Sequence, residues 1–590
     1  MSTQGIFKGW LNKKAYGFIK IPDDSSDIFL HITHATNPLE LSAGCQVEFD
    51  IDTSEKKRQA VNAKLIAPPH YPPLKDSGSS RVPYNNSSNE QLQDSEQITD
   101  ETLESEEIEE LDTDAVNNAL LSEISRWKRE AKSEDNTRYF WHVREVDQIS
   151  QGEKCFVIGR KGSGKTAICE HFSALSSHDV FSEKLSFKNF PFNELYDHKN
   201  AKYTKPNQFI TIWKYLIYSS ICRLMLKDNS VDLEIREQLS KIYDDKAPLS
   251  RRIGRWVSKD FGFSLFGLSL KITRSEDTHE PTNWIKNVDY LEDLLLNHVS
   301  ESKYYILFDE LDEDYRDIVA EEQFEQYTAL ITSLFKAVQD IRSIFGGGGA
   351  KILPIVFLRD DIYDLVKDSD KNKWGDFRVD LNWDVEKIKR LIAFRISRAI
   401  DQDCKNILPF DAAWGRVFGA RRIGVGSNRQ KSKISTFEFI CRSTLIRPRD
   451  FVLYLQNCAQ HAIESNVQIG PTVVRYVDKA FSNYLRQELT DELFAILPDI
   501  SNTFDTISQL RKWNFSIPEF EQAYQQRVEQ GFIQERNVKF VLQILFLFSV
   551  IGNSPRGGRY VFRYQNREAR LNYNERVVVH RGLFKALQIL

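Results

Sequence analysis

Cysteine is scarce in this chain of 590 residues, with 7 in all (Cys45, Cys155, Cys169, Cys222, Cys404, Cys441 and Cys458), scattered and without any C-x-x-C spacing. That pattern supports neither a disulfide framework nor a structural zinc site, and free buried thiols are the expectation. Long apolar runs are missing too: none reaches about 18 residues, so no membrane-spanning helix is expected. The start, Met1-Ser2-Thr3-Gln4-Gly5, lacks the charged and apolar regions of a signal peptide, which points to the cytoplasm. No nuclease, protease, NADase or helicase signature stands out. Basic residues are absent from Val82 to Asp114, where twelve acidic residues lie, so the net charge of -5 conceals a remainder of the chain at +7.

What is present is a soluble, globular composition, 41% hydrophobic and 28% charged, in a length that fits roughly three to five domains. The stretch that organises the rest is Cys155 to Ile158, a short apolar run, followed by Gly159-x4-Gly164-Lys165-Thr166 and a helical continuation from Ala167. A strand, a glycine-rich loop and a helix in that order form a phosphate cradle: inward-turned backbone N–H groups and the helix's positive end bind anions. Gly159, Gly162, Ser163, Gly164, Lys165 and Thr166 are the candidate nucleotide-binding residues. Lys165 is expected to reach the β and γ phosphates, and Thr166 to place its hydroxyl on Mg²⁺. The pattern arises by chance in roughly 2 of 100 chains of this size, so a second element has to support it. Tyr304 to Asp312, an apolar strand ending in adjacent carboxylates, is that element. Asp309 would hold hydrated Mg²⁺, and Glu310 would polarise the attacking water.

Taken in order, residues 1–66 hold short alternating segments separated by turns at Pro22–Ser25 and Ala43-Gly44, which read as a small five-stranded β barrel. Tyr16, Phe18, Phe29 and His31 recur at period two, with Lys8, Lys14 and Lys20 nearby and Trp10 on the first strand. This is a stacking platform with a basic edge, although the same rings could simply pack in the barrel. Lys14-Ala15-Tyr16-Gly17-Phe18-Ile19 and Ile28-Phe29-Leu30-His31 resemble the two RNA-binding motifs of the cold-shock domain at the family's spacing. The resemblance covers nearly all of residues 5–66 and implies an OB-fold that binds single-stranded RNA or DNA by stacking. Gly9 stands where the family commonly has an aromatic, and Ile32 where an aromatic often follows the histidine. Eight Lys and Arg against eight Asp and Glu give this segment little electrostatic pull.

Residues 67–114, Pro-rich at first and acidic at the end, read as a disordered tether. The acidic run is a solvated spacer or a competitor for a basic nucleic-acid site. Residues 115–400 read as the nucleotide core, opening with a helix that contains Arg126 to Arg129. Strands are expected near Lys184–Phe190, before Asp309, at Lys351–Leu358 and at Arg378–Trp383. Helices are expected at Gln208–Lys227, Val231–Tyr243 and Val385–Ile400. Alternating strands and helices predict a doubly wound parallel sheet. The pattern breaks at about residues 246–297, where Arg251 to Arg255 suggest a basic turn and Phe261 to Leu270 a hairpin, and Gly346 to Gly349 form a flexible connection. Arg359, at the end of the Lys351 strand, either contacts the γ-phosphate or attacking water or pairs with Asp360 or Asp361.

Residues 401–495 read as a mostly helical lid, with Arg447-Pro448-Arg449-Asp450 opening a helix from Phe451. Residues 496–590 hold helices at Ile517–Glu529 and Val538–Val550 and strands at Arg559–Gln565 and Glu575–His580, an α+β arrangement like a winged helix. Arg556, Arg559, Arg563, Arg567 and Arg570 would decorate its wing, either for phosphate contact or to lock a closed state. Gly159–Thr166, Phe308-Asp309-Glu310-Leu311-Asp312, Phe357-Leu358-Arg359-Asp360-Asp361 and Arg447-Pro448-Arg449-Asp450 resemble the AAA-like and STAND branch of P-loop ATPases, including groups from bacterial defence loci, over roughly residues 140–500. The resemblance implies that Arg447 or Arg449 senses the γ-phosphate.

The combined expectation is a multidomain ATP- and Mg²⁺-dependent switch: an all-β barrel sensing single-stranded RNA or DNA, an α/β ATPase core with a helical lid, and a winged-helix-like carboxyl-terminal domain. Self-assembly into a homo-oligomer, a separate effector protein and a setting in prokaryotic anti-phage defence go with it. Two rivals stand beside it: a nucleic-acid-remodelling ATPase, and an RNA- or DNA-binding regulator with a slow or structural nucleotide site.

Overall fold

The computed structural model describes residues 3–10, 16–21, 27–31, 34–35, 45–52, 59–67, 118–175, 177–187, 193–196, 202–204, 207–243, 249–256, 286–312, 321–346, 351–426 and 432–589. The expected tether at 68–114, the expected hairpin at 261–270, Lys14 and the glycines at 347–349 lie outside them. Two compact units divide the chain, Met1–Gln91 and Leu92–Leu590.

The first unit is a closed barrel of β1 (Thr3–Trp10), β2 (Tyr16–Lys20), β3 (Asp27–His31), β4 (Gln46–Asp52) and β5 (Gln59–Ala67), in the order β1-β2-β3-β5-β4. Strand alternation builds its core: Phe7, Ile19, Ile28, Leu30, Val47 and Phe49 are all at 1% exposure or less. The five expected strands are all present, somewhat longer than their apolar segments.

In the second unit β6 (Phe156–Ile158), β7 (Val180–Ser186), β8 (Lys303–Asp309), β9 (Ile352–Leu358) and β10 (Arg378–Asp380) form a parallel sheet in the order β10-β6-β9-β8-β7. The inner strands β6, β9 and β8 are almost wholly apolar because both faces are covered, whereas the edge strand β7 carries Ser182, Glu183 and Lys184 and is mostly half-buried. Tyr304, Ile306 and Phe308 of β8 join one core with the helices Ile210–Met225, Lys286–His298 and Glu321–Phe345. Tyr305 and Leu307 join another, with Arg144–Ser150 and Lys165–Ala174. The carboxyl ends of β6, β8 and β9 open on one edge, with β9 between the strand before the glycine loop and the strand ending at Asp309.

A third core joins the helices Val385–Ile400, Thr436–Ser443, Pro448–Ser465 and Pro471–Leu493 to the carboxyl-terminal helices Ile500–Leu510, Ile517–Glu529 and Val538–Leu547. Helix starts follow local chemistry. Asp384 accepts from the Lys387 amide at 2.7 Å, and Ser516 and Glu519 close a capping box around Pro518 in the helix's first turn.

Several expectations are corrected. The helix before the core ends at Ser125, ahead of Arg126–Arg129. The strand expected at Lys184–Phe190 is β7, shifted toward the amino terminus. Arg251–Arg255 lie in the helix Leu249–Trp256 rather than in a turn, and Arg252 of that helix binds Glu183 of β7 at 2.5 Å. The helical lid contains a β-hairpin, β11 (Arg422–Val425) with β12 (Ser432–Ser435). Arg559–Gln565 is not a strand. Only Val561 bridges, to Asn553, because Phe562 and Tyr564 turn inward to pack edge-on against His580. The carboxyl-terminal sheet is instead β13 (Asn514–Phe515), β14 (Ile551–Ser554) and β15 (Arg576–Val579), in the order β13-β15-β14. Among the described residues no helix is long and apolar enough to cross a membrane.

Candidate functional site

The loop after β6 turns through two left-handed glycines, Gly162 (φ +78°) and Gly164 (φ +100°), before the helix Lys165–Ala174 starts. A side chain at either would be strained. Gly159 is small for another reason, since a Cβ there would lie 2.6 Å from Ser163 Oγ and 3.0 Å from Leu381 Cβ. Trp383 Nε1 donates to the Ser163 carbonyl at 2.8 Å and pins the loop's crest, while Ser163 Oγ is buried and has no hydrogen-bond partner. The Lys165 ammonium folds back onto its own loop and donates to the carbonyls of Gly159 (2.7 Å) and Arg160 (3.0 Å). Burial pushes its pKa down, with the Asp312 and Asp360 charges opposing. An anion in the cradle would relieve that desolvation.

Asp309 ends β8 at 3% exposure. Lys184 Nζ stands 3.2 Å from its Oδ2, yet this oxygen accepts no well-aligned hydrogen bond; the contact is ionic and leaves a lone pair for a ligand. Burial holds the Asp309 carboxyl above its usual range, against the pull of Lys184. Glu310 follows with a left-handed backbone (φ 63°), which aims its side chain across the sheet edge. Its Oε1 accepts from Lys132 Nζ at 2.7 Å, and its Oε2 from the hydroxyl of Ser186. Burial alone would raise the Glu310 pKa, but Lys132 and Ser186 outweigh it and hold the carboxylate below its ordinary range.

These groups share a cavity of about 280 Å³, whose wall includes Gly162–Thr166, Asp309, Glu310, Asp312, Arg359 and Arg449. The same wall includes the apolar and aromatic side chains Phe140, Trp141, Val143, Trp383 and Val452. The Trp141 and Trp383 rings lie 5.9 Å apart at 45°. The lining therefore combines groups suited to phosphates and a hydrated divalent cation with rings suited to a flat base. Among the described residues no three His, Cys, Asp or Glu side chains form a metal cluster. A nucleotide's Mg²⁺ is held through one or two protein oxygens, water and phosphates, and Asp309 Oδ2, which accepts no well-aligned hydrogen bond, is a carboxylate oxygen that could join such a set.

The three candidate arginines differ. Arg359 lines the cavity, but its fork is bound by Asp361 (Nε–Oδ1 3.0 Å, Nη2–Oδ2 2.6 Å), with Asp312 at 3.4 Å. Arg359 thus makes the Asp361 ion pair while also lining the cavity. Arg447 is 2% exposed; Asp450 holds its Nη2 at 2.9 Å, and its Nη1 donates to the Lys161 carbonyl and to Glu492 Oε1, each at 3.3 Å. Arg449 faces the cavity and shares Glu488 with Lys161, at 3.0 and 2.9 Å. In the carboxyl-terminal domain Arg567 reaches Asp380 at 2.5 Å and Asp364 at 3.1 Å, and Arg563 reaches Asp364 at 3.2 Å. These two bind the core instead of decorating a free wing.

Lys132, Lys184, Ser186, Trp141 and Trp383 were not singled out from the sequence. Ser186 pairs in register with Asp309 across β7 and β8, a relation invisible until the strands are paired. The aromatic run Tyr139-Phe140-Trp141-His142 was a usable signal for the aromatic part of the lining.

In the barrel, Phe18 and Phe29 are cross-strand partners with ring centroids 6.1 Å apart, edge to face. Both are half-buried and lie outside the barrel core. Tyr16 and His31 are the next pair on that face. Lys8 and Trp10 stand on β1; the side chains of Lys8, Trp10, Tyr16 and His31 lie outside the description.

Residues 3–66 match the family described as "'Cold-shock' DNA-binding domain", and residues 386–490 that described as "FunZ-associated C-terminal helical domain". A cold shock-like protein of Aquifex aeolicus (strain VF5) is 34% identical over 68 residues, 11% of this chain and 97% of the relative. Among solved structures, Drosophila ORC bound to DNA aligns at 10% identity with a TM-score of 0.24, over 83% of this chain and 97% of that one. Cdc6p from Pyrobaculum aerophilum aligns at 12% with a TM-score of 0.26, over 76% and 92%. TM-scores this low carry nothing about the fold of the second unit.

Proposed function

Because the first domain of the chain belongs to the cold-shock family, we propose that the protein is an ATP-binding and ATP-hydrolysing switch whose barrel binds single-stranded RNA or DNA. The observation that carries the nucleotide half is the meeting, in one cavity, of Gly162–Thr166 of the cradle, Asp309, Glu310 and the aromatic side chains Phe140, Trp141 and Trp383. In this reading the loop amides and Lys165 bind the β and γ phosphates, and Trp141 and Trp383 flank the base. Thr166 and Asp309 hold Mg²⁺, which neutralises phosphate charge when bound. Glu310, once free of Lys132, accepts the proton of the attacking water. Arg449, which is the arginine of the lid facing the cavity, senses the γ-phosphate. The half-buried Phe18 and Phe29, which lie outside the barrel core, support base stacking, worth about 1–3 kcal/mol per base. The ATPase core with a winged-helix-like lock belongs to the same reading, supported by the β6-loop-helix geometry and by Arg563 and Arg567 on Asp364 and Asp380. Homo-oligomerisation, a separate effector and a role in prokaryotic defence rest on the sequence resemblance alone.

The test is steady-state ATP hydrolysis by wild type, Lys165→Ala and Glu310→Gln, with and without single-stranded RNA or DNA, beside a Phe18→Ala/Phe29→Ala variant. Hydrolysis that depends on Lys165 and Glu310, and a strand response lost only in the barrel variant, is the expected result. Hydrolysis equal in all variants overturns the nucleotide reading. A rate unchanged by any strand overturns the sensor reading.

A further inference from the structure

The hairpin β11–β12 interrupts the helical domain and carries charge of one sign. From residue 412 to residue 437 there are six Lys and Arg and no Asp or Glu. Arg416, Arg421, Arg422 and Lys433 are all exposed, and among the described residues none of them has an ion pair with a carboxylate. The register sets Arg422 opposite Ser435 and Gly424 opposite Lys433, so Arg422 and Lys433 stand diagonally on the outward face, while Ile423 and Ile434 pair on the inward one. Like charges set diagonally across a strand pair repel each other, and Arg422 Nη2 turns to the Lys433 carbonyl, at 3.5 Å.

The ribbon is nevertheless firmly seated. Thr436 N–H donates to the Arg421 carbonyl at 2.8 Å, Trp414 Nε1 donates to Thr436 Oγ1 at 3.1 Å, and Arg475 Nη2 donates to the Gly424 carbonyl at 3.0 Å. Ile423 is at 1% exposure. A rigid two-stranded ribbon with an unneutralised basic face has the width to enter a duplex major groove and the charge to hold its phosphates.

We propose that the β11–β12 hairpin, with Arg422 and Lys433 on its strands and Arg416 on the helix Phe410–Val417 that leads into it as the phosphate contacts, is a second nucleic-acid site, for the backbone of a duplex, separate from the barrel. The contacts are to phosphate, so the site is sequence-independent and salt-sensitive.

The experiment is fluorescence anisotropy of a labelled 20-base-pair duplex with the full chain, titrated at several salt concentrations. Every arm carries Phe18→Ala/Phe29→Ala, so that the barrel's stacking does not contribute. Arg416→Gln/Arg422→Gln/Lys433→Gln should weaken binding about tenfold at 0.1 M salt and reduce the slope of log affinity against log salt by about 2.7, about 0.9 for each lost phosphate contact. Lys227→Gln/Lys241→Gln/Arg251→Gln, an equal charge change on exposed positions of the same unit, should leave both values unchanged. An unaltered slope in the hairpin variant overturns the proposal. So does an equal loss in the two triple variants, which assigns binding to net charge. So does a hairpin-dependent loss of binding to anionic vesicles with duplex affinity intact. Single-strand binding by the chain with Phe18 and Phe29 intact is a separate readout and reports only on the barrel.

Discussion

Lys132 holds Glu310: the ammonium stands 2.7 Å from one carboxylate oxygen while Ser186 occupies the other. Lys132 belongs to the 3-10 turn Ala131–Ser133, which precedes the core in the chain, and Ser186 ends β7. A carboxylate with both oxygens engaged is a poor acceptor for a water proton, so the two contacts hold the candidate base in reserve.

Releasing that hold should raise turnover. Lys132→Ala is expected to increase basal ATP hydrolysis severalfold, whereas Glu310→Gln should lower it at least about a hundredfold, the usual contribution of a general base. Lys132 and Ser186 also keep Glu310 ionised to lower pH. In Lys132→Ala the acid limb of the pH–rate profile should therefore move to higher pH, toward the ordinary Glu value. An unshifted limb assigns it to another group.

The aromatic side chains of the cavity give a second expectation. Trp141→Ala removes one face of the base site and should weaken ATP binding about tenfold, since stacking on one ring is worth about 1–3 kcal/mol. The turnover number of the saturated enzyme should stay within about twofold, because Trp141 touches no reacting atom. Isothermal titration with ATP, paired with the kinetics, separates the two effects.

How far the sequence reached depended on the range of each relation. The glycine loop and the Asp309 strand were legible because each is local: a period, a turn residue, a carboxylate at a strand end. The barrel was legible because its strands alternate. The β11–β12 hairpin is not legible because residues 401–495 read as mostly helical, and its pairing, Ile423 with Ile434, spans a loop. Arg359 was left between two partners, and only the fold places Asp361 across its fork. Lys132 and Ser186 could not be placed at all, since they lie 178 and 124 residues from Glu310.

Arg563 and Arg567 fasten the carboxyl-terminal domain to Asp364 and Asp380 through partly exposed ion pairs. Such pairs contribute about 1 kcal/mol or less each and weaken with salt. Arg563→Ala/Arg567→Ala should leave the shared core folded while hydrogen exchange quickens in the segment 555–575 around these arginines. Raising salt in the wild type should have a similar, smaller effect. Protection unchanged in both cases would show that Tyr564, beneath Arg160 at 5.7 Å, holds the domain alone.

His580 links this domain to pH. Its ring is 2% exposed, Nδ1 accepts from the Gly582 amide at 3.1 Å, and burial, with Arg581 adding to it, depresses its pKa to about 3. The unfolded chain takes up this proton near pH 6.5 and the folded chain does not, so the unfolded state binds more protons across the window between. The contribution of His580 is thus complete above about pH 6.5 and is lost as pH falls toward 3. By pH 5 the loss amounts to about 2 kcal/mol, at about 1.4 kcal/mol per pH unit. His580→Asn keeps an acceptor for Gly582 without a titrating ring. Its denaturation midpoint should fall less between pH 7 and pH 5 than that of the wild type, measured by urea unfolding of the carboxyl-terminal core. Equal slopes would place the acid sensitivity on the carboxylates instead.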